Sequence, residues 1–113
     1  MGLSTHVLDT AHGCPAAGMA VKLYAGSTLL KAFTLNSDGR NPEGMLLGHA
    51  DLKAGTYRLT FDVAAYFKAK GVVLPEPNFL NIVSLDFGVA HEAEHYHVPL
   101  LVSPWSYSTY RGS

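Results

Sequence analysis

The chain has 113 residues, of which 48% are hydrophobic and 15% charged, and its formal net charge is −1 at pH 7. That length predicts one domain over 1–113 with one modest core. The near-neutral charge leaves no basic field for a nucleic acid, no apolar run has the length of a membrane span, and a single cysteine, Cys14, excludes an internal disulfide.

Apolar residues recur mostly with a period of two, the signature of half-buried strands. In 3–9, Leu3, Thr5, Val7 and Asp9 alternate with Ser4, His6 and Leu8, and the breaker run HGCP follows. In 18–25, Met19, Val21, Leu23 and Ala25 alternate with Ala20, Lys22 and Tyr24. Gly26 and Ser27 predict a tight turn into a strand over 28–35, closing a hairpin. The run NSDGRNPEG, 36–44, is turn chemistry and predicts a surface loop. Another alternating strand is expected over 55–61. The segment 62–70 breaks the pattern: Ala64, Ala65, Lys68, Ala69 and Lys70 favour a helix, Asp62 stands at its start and Gly71 at its stop. Strands resume over 79–87, 94–102 and 107–113. Seven or eight short strands with one helix predict an all-β sandwich. So much apolar surface on so small a chain predicts an oligomer.

Six histidines form the first chemical oddity. In HEAEHYHVPLL, a strand reaching back to residue 91 would align His91, Ala93, His95 and His97 on one face, with Glu92, Glu94 and Tyr96 on the other. Side-by-side His95 and His97 admit three readings: a wet outer face, a pair of imidazoles for proton transfer, or an H-x-H metal site completed by His6. His6 alone in a strand reads as structural and gains interest only from company. Arg40 sits in a loop that needs no arginine to fold. It is either solvated or a planar fork for an oxyanion or a flat anionic heterocycle. Asp9, Asp38 and Asp51 lie beside turns, where capping or Asx-turn roles suffice. There is no nucleophile motif, phosphate loop or dinucleotide fingerprint. An enzyme built on this sequence would activate water with histidine.

Three stretches, LSTHVLDTAHGCPAAG, TLNSDGR and HYHVPLLVSPWSYSTYRGS, together resemble the 5-hydroxyisourate hydrolase family, the transthyretin-like enzymes of urate breakdown. The resemblance runs nearly end to end with the motifs in order. It implies a transthyretin-like β-sandwich of two four-stranded sheets with one short helix. It also implies a homotetramer, a dimer of dimers, with active sites where subunits meet. The implied reaction is hydrolysis of 5-hydroxyisourate to 2-oxo-4-hydroxy-4-carboxy-5-ureidoimidazoline, with no cofactor and no metal. The family's catalytic positions fall on His6, Arg40, His97 and Ser113, and its substrate-binding positions on His6, Arg40, Tyr110, Arg111 and Gly112. Trp105 stands where many members of that family carry a smaller residue or tyrosine. Two rival expectations remain: a small-molecule carrier without catalysis, and a zinc-dependent amidohydrolase using His6, His95 and His97. The lone thiol, the start at Met1 without a signal-peptide core and the ending without a peroxisomal address point to the cytoplasm.

Overall fold

A computed structural model describes residues 2–112. Strands β1 (Gly2–Asp9), β2 (Cys14–Pro15), β3 (Ala20–Ala25), β4 (Thr28–Thr34), β5 (Leu47–Gly48) and β6 (Gly55–Asp62) precede the helix α1 (Val63–Ala69). Strands β7 (Ile82–Val89), β8 (Tyr96–Val102) and β9 (Tyr107–Thr109) follow it. They form two sheets, β4-β3-β6-β7 and β2-β1-β8-β9, the second carrying β5 as a short addition on β1. This is the two-sheet sandwich with one helix that the sequence predicts.

The core lies between the sheets, because the period-two pattern turns one face of each strand inward. Leu3, Val7, Val21, Leu23, Leu59, Phe61, Leu100 and Val102 are fully buried or nearly so, each stabilising the fold by roughly 1.5–3 kcal/mol. The β3–β4 hairpin turns at Gly26, whose φ of 59° suits a residue without Cβ, and a register shift follows between Leu23 and Tyr24.

The helix buries Val63, Ala64, Tyr66 and Phe67, the face set by its 3.6-residue period. Asp62 makes no side-chain cap. The first helical amides, those of Val63 and Ala64, instead donate to the Asn81 carbonyl at 3.1 Å each. Gly71, with φ 86°, ends the helix and donates to the Lys68 carbonyl.

Two strand starts differ from expectation. The strand expected from 79 begins at Ile82, since Asn81 is spent capping the helix. The strand expected from 94 begins at Tyr96, because 91–94 close a turn in which the Glu94 amide donates to the His91 carbonyl. The expected face of His91, Ala93, His95 and His97 therefore does not form.

Two features of the β1 sheet position the site. First, β1 and β8 are parallel, with Ser4 opposite His97 and His6 opposite Pro99. Second, the loop 36–44, a surface loop as expected, is pinned at two residues along the edge of β1 between β5 and β2. The Val7 amide donates to the Gly39 carbonyl at 3.0 Å, and Gly39 and Asn41 are buried. Gly39 has φ 73°, and a Cβ there would stand 2.5 Å from the Val7 carbonyl oxygen. Only glycine permits that approach.

Candidate active site

Inward Leu3, Thr5, Val7 and Asp9 leave Ser4 and His6 on the outer face of β1, while Tyr96 and Val98 turn inward and leave His97 outward on β8. Parallel pairing then brings residues distant in sequence onto one patch. The Ser4 hydroxyl lies 2.8 Å from His97 Nδ1 and 3.3 Å from His95 Nε2. His95 and His97 do stand side by side, although only His97 is within the strand.

Arg40 reaches this patch from the loop along β1. Its backbone is tied down: the Arg40 amide donates to Asn36 Oδ1 at 3.1 Å, and the Asn36 amide donates to the Arg40 carbonyl at 2.9 Å. Burial, and then the Arg40 guanidinium, hold His6 below the ordinary histidine value, against a backbone hydrogen bond and the carboxylate charge of Asp38. Burial lowers His97 as well, followed in order by the charges of Arg40, His6 and His95. Both imidazoles are therefore neutral at neutral pH and able to accept a proton.

The third wall is the segment after β9. The Gly112 amide donates to the His97 carbonyl at 2.7 Å, forming a bridge between the two residues. A Cβ on Gly112 would stand 2.7 Å from His97 Cδ2, so the glycine backbone rests against the imidazole. The Arg111 guanidinium donates to Glu94 Oε1 at 3.0 Å and to the His95 carbonyl at 3.1 Å, and lies 4.0 Å over the Tyr96 ring. These contacts fix the segment's path. Tyr110 is 61% exposed. It lines a cavity of about 370 Å³ between β7 and β9, together with Tyr96, Tyr107 and Arg111. Ser113 lies outside the described residues. Trp105, also exposed, packs against Phe79 with ring centroids 5.9 Å apart.

The structure thus brings together His6, Arg40, His97 and Gly112. Among the described residues, no three His, Cys, Asp or Glu side chains gather so as to hold a metal ion, so His6, His95 and His97 do not form the ligand set of the zinc reading. Sequence reasoning missed Ser4, whose only signal was its alternation with Thr5 on the face that carries His6. It also reduced Asp9 to a turn. Asp9 is fully buried and accepts from the amides of Ala11 and His12 at 3.0 Å, as an Asx-turn would. Its other oxygen lies 2.6 Å from His12 Nδ1 and accepts from the Tyr66 hydroxyl at 2.7 Å.

A two-sheet sandwich with two neutral imidazoles on its outer face, beside an arginine whose backbone is tied down, is a transthyretin-type scaffold equipped for proton transfer. Residues 3–112 match the model of the HIUase/Transthyretin family, and the chain belongs to that family. It is 55% identical to the 5-hydroxyisourate hydrolase of Pseudomonas aeruginosa, over 98% of this chain and 90% of that protein. Among solved structures, it superposes on (S)-allantoin synthase with a TM-score of 0.95 at 44% identity, covering 99% of this chain but 43% of that longer one. The 5-hydroxyisourate hydrolase of Klebsiella pneumoniae gives a TM-score of 0.84 at 35% identity, with 100% of both chains covered.

Proposed function

We propose that this chain hydrolyses 5-hydroxyisourate, opening a ring amide to give 2-oxo-4-hydroxy-4-carboxy-5-ureidoimidazoline, by attack of a water activated by histidine. The observation that carries this reading is the convergence of His6, His97 and Arg40 on one face, with both imidazoles held neutral by burial and by the Arg40 charge. Family membership and the names of its close relatives agree with it.

In this reading one of the two imidazoles, His6 or His97, takes a proton from water as it attacks the carbonyl, and one returns a proton to the departing nitrogen. Arg40 holds the anionic heterocycle and offsets charge developing on the carbonyl oxygen. Gly112 presents backbone close to His97, Tyr110 orients the ring, and Arg111, engaged by Glu94 and Tyr96, sets the path of that wall. Ser113 keeps, in this reading, the catalytic role that the family resemblance implies. No cofactor enters the scheme.

Four copies assemble, in the same proposal, as a dimer of dimers with sites where subunits meet. Supporting this, β4 and β7 bound one sheet, and β2 and β9 the other. Leu29, Leu30, Ile82, Tyr107 and Tyr110 on or beside those strands are exposed apolar or aromatic side chains, the surface a subunit contact would bury. A reducing, cytoplasmic setting suits the half-buried free thiol of Cys14.

The test is to generate 5-hydroxyisourate from urate in situ and follow its ultraviolet absorbance. Decay faster than the spontaneous rate is expected, and His6→Ala or His97→Ala should lower that acceleration by ~10²- to 10⁴-fold. No acceleration over spontaneous decay would favour a carrier that binds without transforming. Acceleration abolished by exhaustive chelation would return the zinc reading.

A further inference from the structure

The Ser4 hydroxyl bridges two imidazoles of the site, 2.8 Å from His97 Nδ1 and 3.3 Å from His95 Nε2. A serine hydroxyl has one proton and two lone pairs. Placed between two ring nitrogens, it donates to one and accepts from the other. The two arrangements have opposite consequences for His97. If Ser4 donates to Nδ1, the His97 proton sits on Nε2 and the ring has no free lone pair for a water. If Ser4 accepts from Nδ1–H, Nε2 is bare and basic. Among the described residues Nε2 has no hydrogen-bond partner, so Nδ1 is the nitrogen through which the protein sets the tautomer.

We infer that Ser4 is a positioning residue: its hydroxyl accepts from His97 Nδ1–H and donates to His95 Nε2, fixing His97 as the tautomer whose Nε2 takes a proton. The inference rests on the hydrolytic reading, because only a base needs the bare Nε2. His95 then has a role that touches no substrate. Its Nε2 occupies the hydroxyl proton and prevents Ser4 from turning that proton toward His97. The arrangement also explains why His97 and His95 lie beside each other while β8 includes only the former. The geometry needs His95 Nε2 within reach of Ser4, not the His95 backbone in register.

The backbone supports a fixed Ser4. It lies inside β1, opposite His97 in a pairing that runs without interruption from Leu3 to Asp9. It is half-buried, which limits competition from water for the two nitrogens.

The test compares Ser4→Thr with Ser4→Val, side chains of one shape and good strand propensity that differ in the hydroxyl. Long-range ¹⁵N–¹H spectra of the histidine rings, recorded without substrate above the pH at which His97 titrates, should show Nδ1–H on both His97 and His95 in the wild-type protein and in Ser4→Thr. In Ser4→Val the His97 signals should move toward the tautomer mixture of free imidazole. The kcat should fall roughly 10- to 100-fold with KM little changed, less than the ~10⁴-fold that follows loss of a charged orienting group from a histidine base. Ser4→Thr should retain turnover. An unchanged His97 tautomer in Ser4→Val, or Nε2–H on His97 in the wild type, would overturn the inference whatever the activity. A fixed Nδ1–H tautomer in a protein that does not accelerate 5-hydroxyisourate decay would leave the serine's effect on the ring standing and sink the hydrolytic reading alone.

Discussion

Replacing Gly112 with alanine tests the site through one added methyl group. The new Cβ would stand 2.7 Å from His97 Cδ2 and 3.2 Å from both Cβ and Cγ of the same residue. Carbon atoms in contact prefer roughly 3.5–4.0 Å, so the closest approach is short by about 1 Å. Gly112 does not adopt a left-handed backbone conformation, so the contact, and not φ, is the obstacle. Two responses are open. The imidazole can rotate, which pulls Nδ1 from Ser4 at 2.8 Å, or the segment can lift, which breaks the Gly112 amide bond to the His97 carbonyl at 2.7 Å. Either moves a reacting group relative to its neighbours, and a displacement near 1 Å costs roughly 10²-fold in rate. Stability should barely respond, because residue 112 lies beyond β9 and is held by one bridge to β8. Thermal melting should shift by no more than about 4 °C, the equivalent of ~1 kcal/mol. Steady-state kinetics on 5-hydroxyisourate generated in situ, paired with that melt, supply the assay. A Gly112→Ala protein with wild-type kcat/KM would refute the placement of this segment against the catalytic imidazole. A loss of activity that tracks a collapse in melting temperature would refute the claim that the effect is local.

Two further perturbations separate the site from the fold. Arg40→Gln removes a charge that disfavours the protonated form of both His6 and His97, so their NMR titrations should move up toward the ordinary histidine value of about 6.5. In the wild type the acid limb of kcat/KM should accordingly lie below that value; titration of both rings unchanged in Arg40→Gln would contradict the geometry. Tyr66→Phe removes a donor from Asp9. Burial alone would raise Asp9, but hydrogen bonds from Tyr66 and His12 outweigh it and hold the carboxyl below its ordinary range. A depressed folded value means stability that is present above the unfolded value near ~3.9 and is lost as pH falls through the folded one. Tyr66→Phe should therefore cost about 1.5–3 kcal/mol at neutral pH and move the acid-unfolding midpoint upward. Chemical denaturation at two pH values reads both, and neither change appearing would rule out the network as a source of stability.

The elements that local chemistry controls were legible in the sequence. Period-two alternation located β1, β3 and β6, Gly26 and Ser27 located the hairpin, and the alanine-rich run ending at Gly71 located α1. The two-residue strands β2 and β5 were not, since a pair of residues has no period and forms only where β1 offers an edge. The start of β7 was set by a tertiary bond, the Asn81 carbonyl on the helix, and that of β8 by a local turn from His91 to Glu94 that the alternation of residues does not reveal. For the site, family motifs drew attention to His6, Arg40, His97 and Gly112. Ser4 and His95 became partners of His97 only through the parallel register of β1 and β8, and a serine in an alternating strand looks like any other outward residue. Arg111 showed the reverse. The family resemblance singled it out as a substrate-binding position, but its engagement with Glu94 and the Tyr96 ring required the fold.

The parallel pairing of β1 with β8 also bears on how the protein acquires its activity. Ser4 and His97 are separated by 93 positions in the chain, so their meeting is among the most non-local contacts in the molecule, and such closures are slow because chain entropy is spent before any contact repays it. The hairpin of β3 and β4 can form from neighbouring residues alone, whereas no catalytic neighbour of His97 on β1 exists until the two strands have found each other. Turnover is consequently a late reporter of folding: a chain with most of its secondary structure in place but β1 undocked has every site residue and no site.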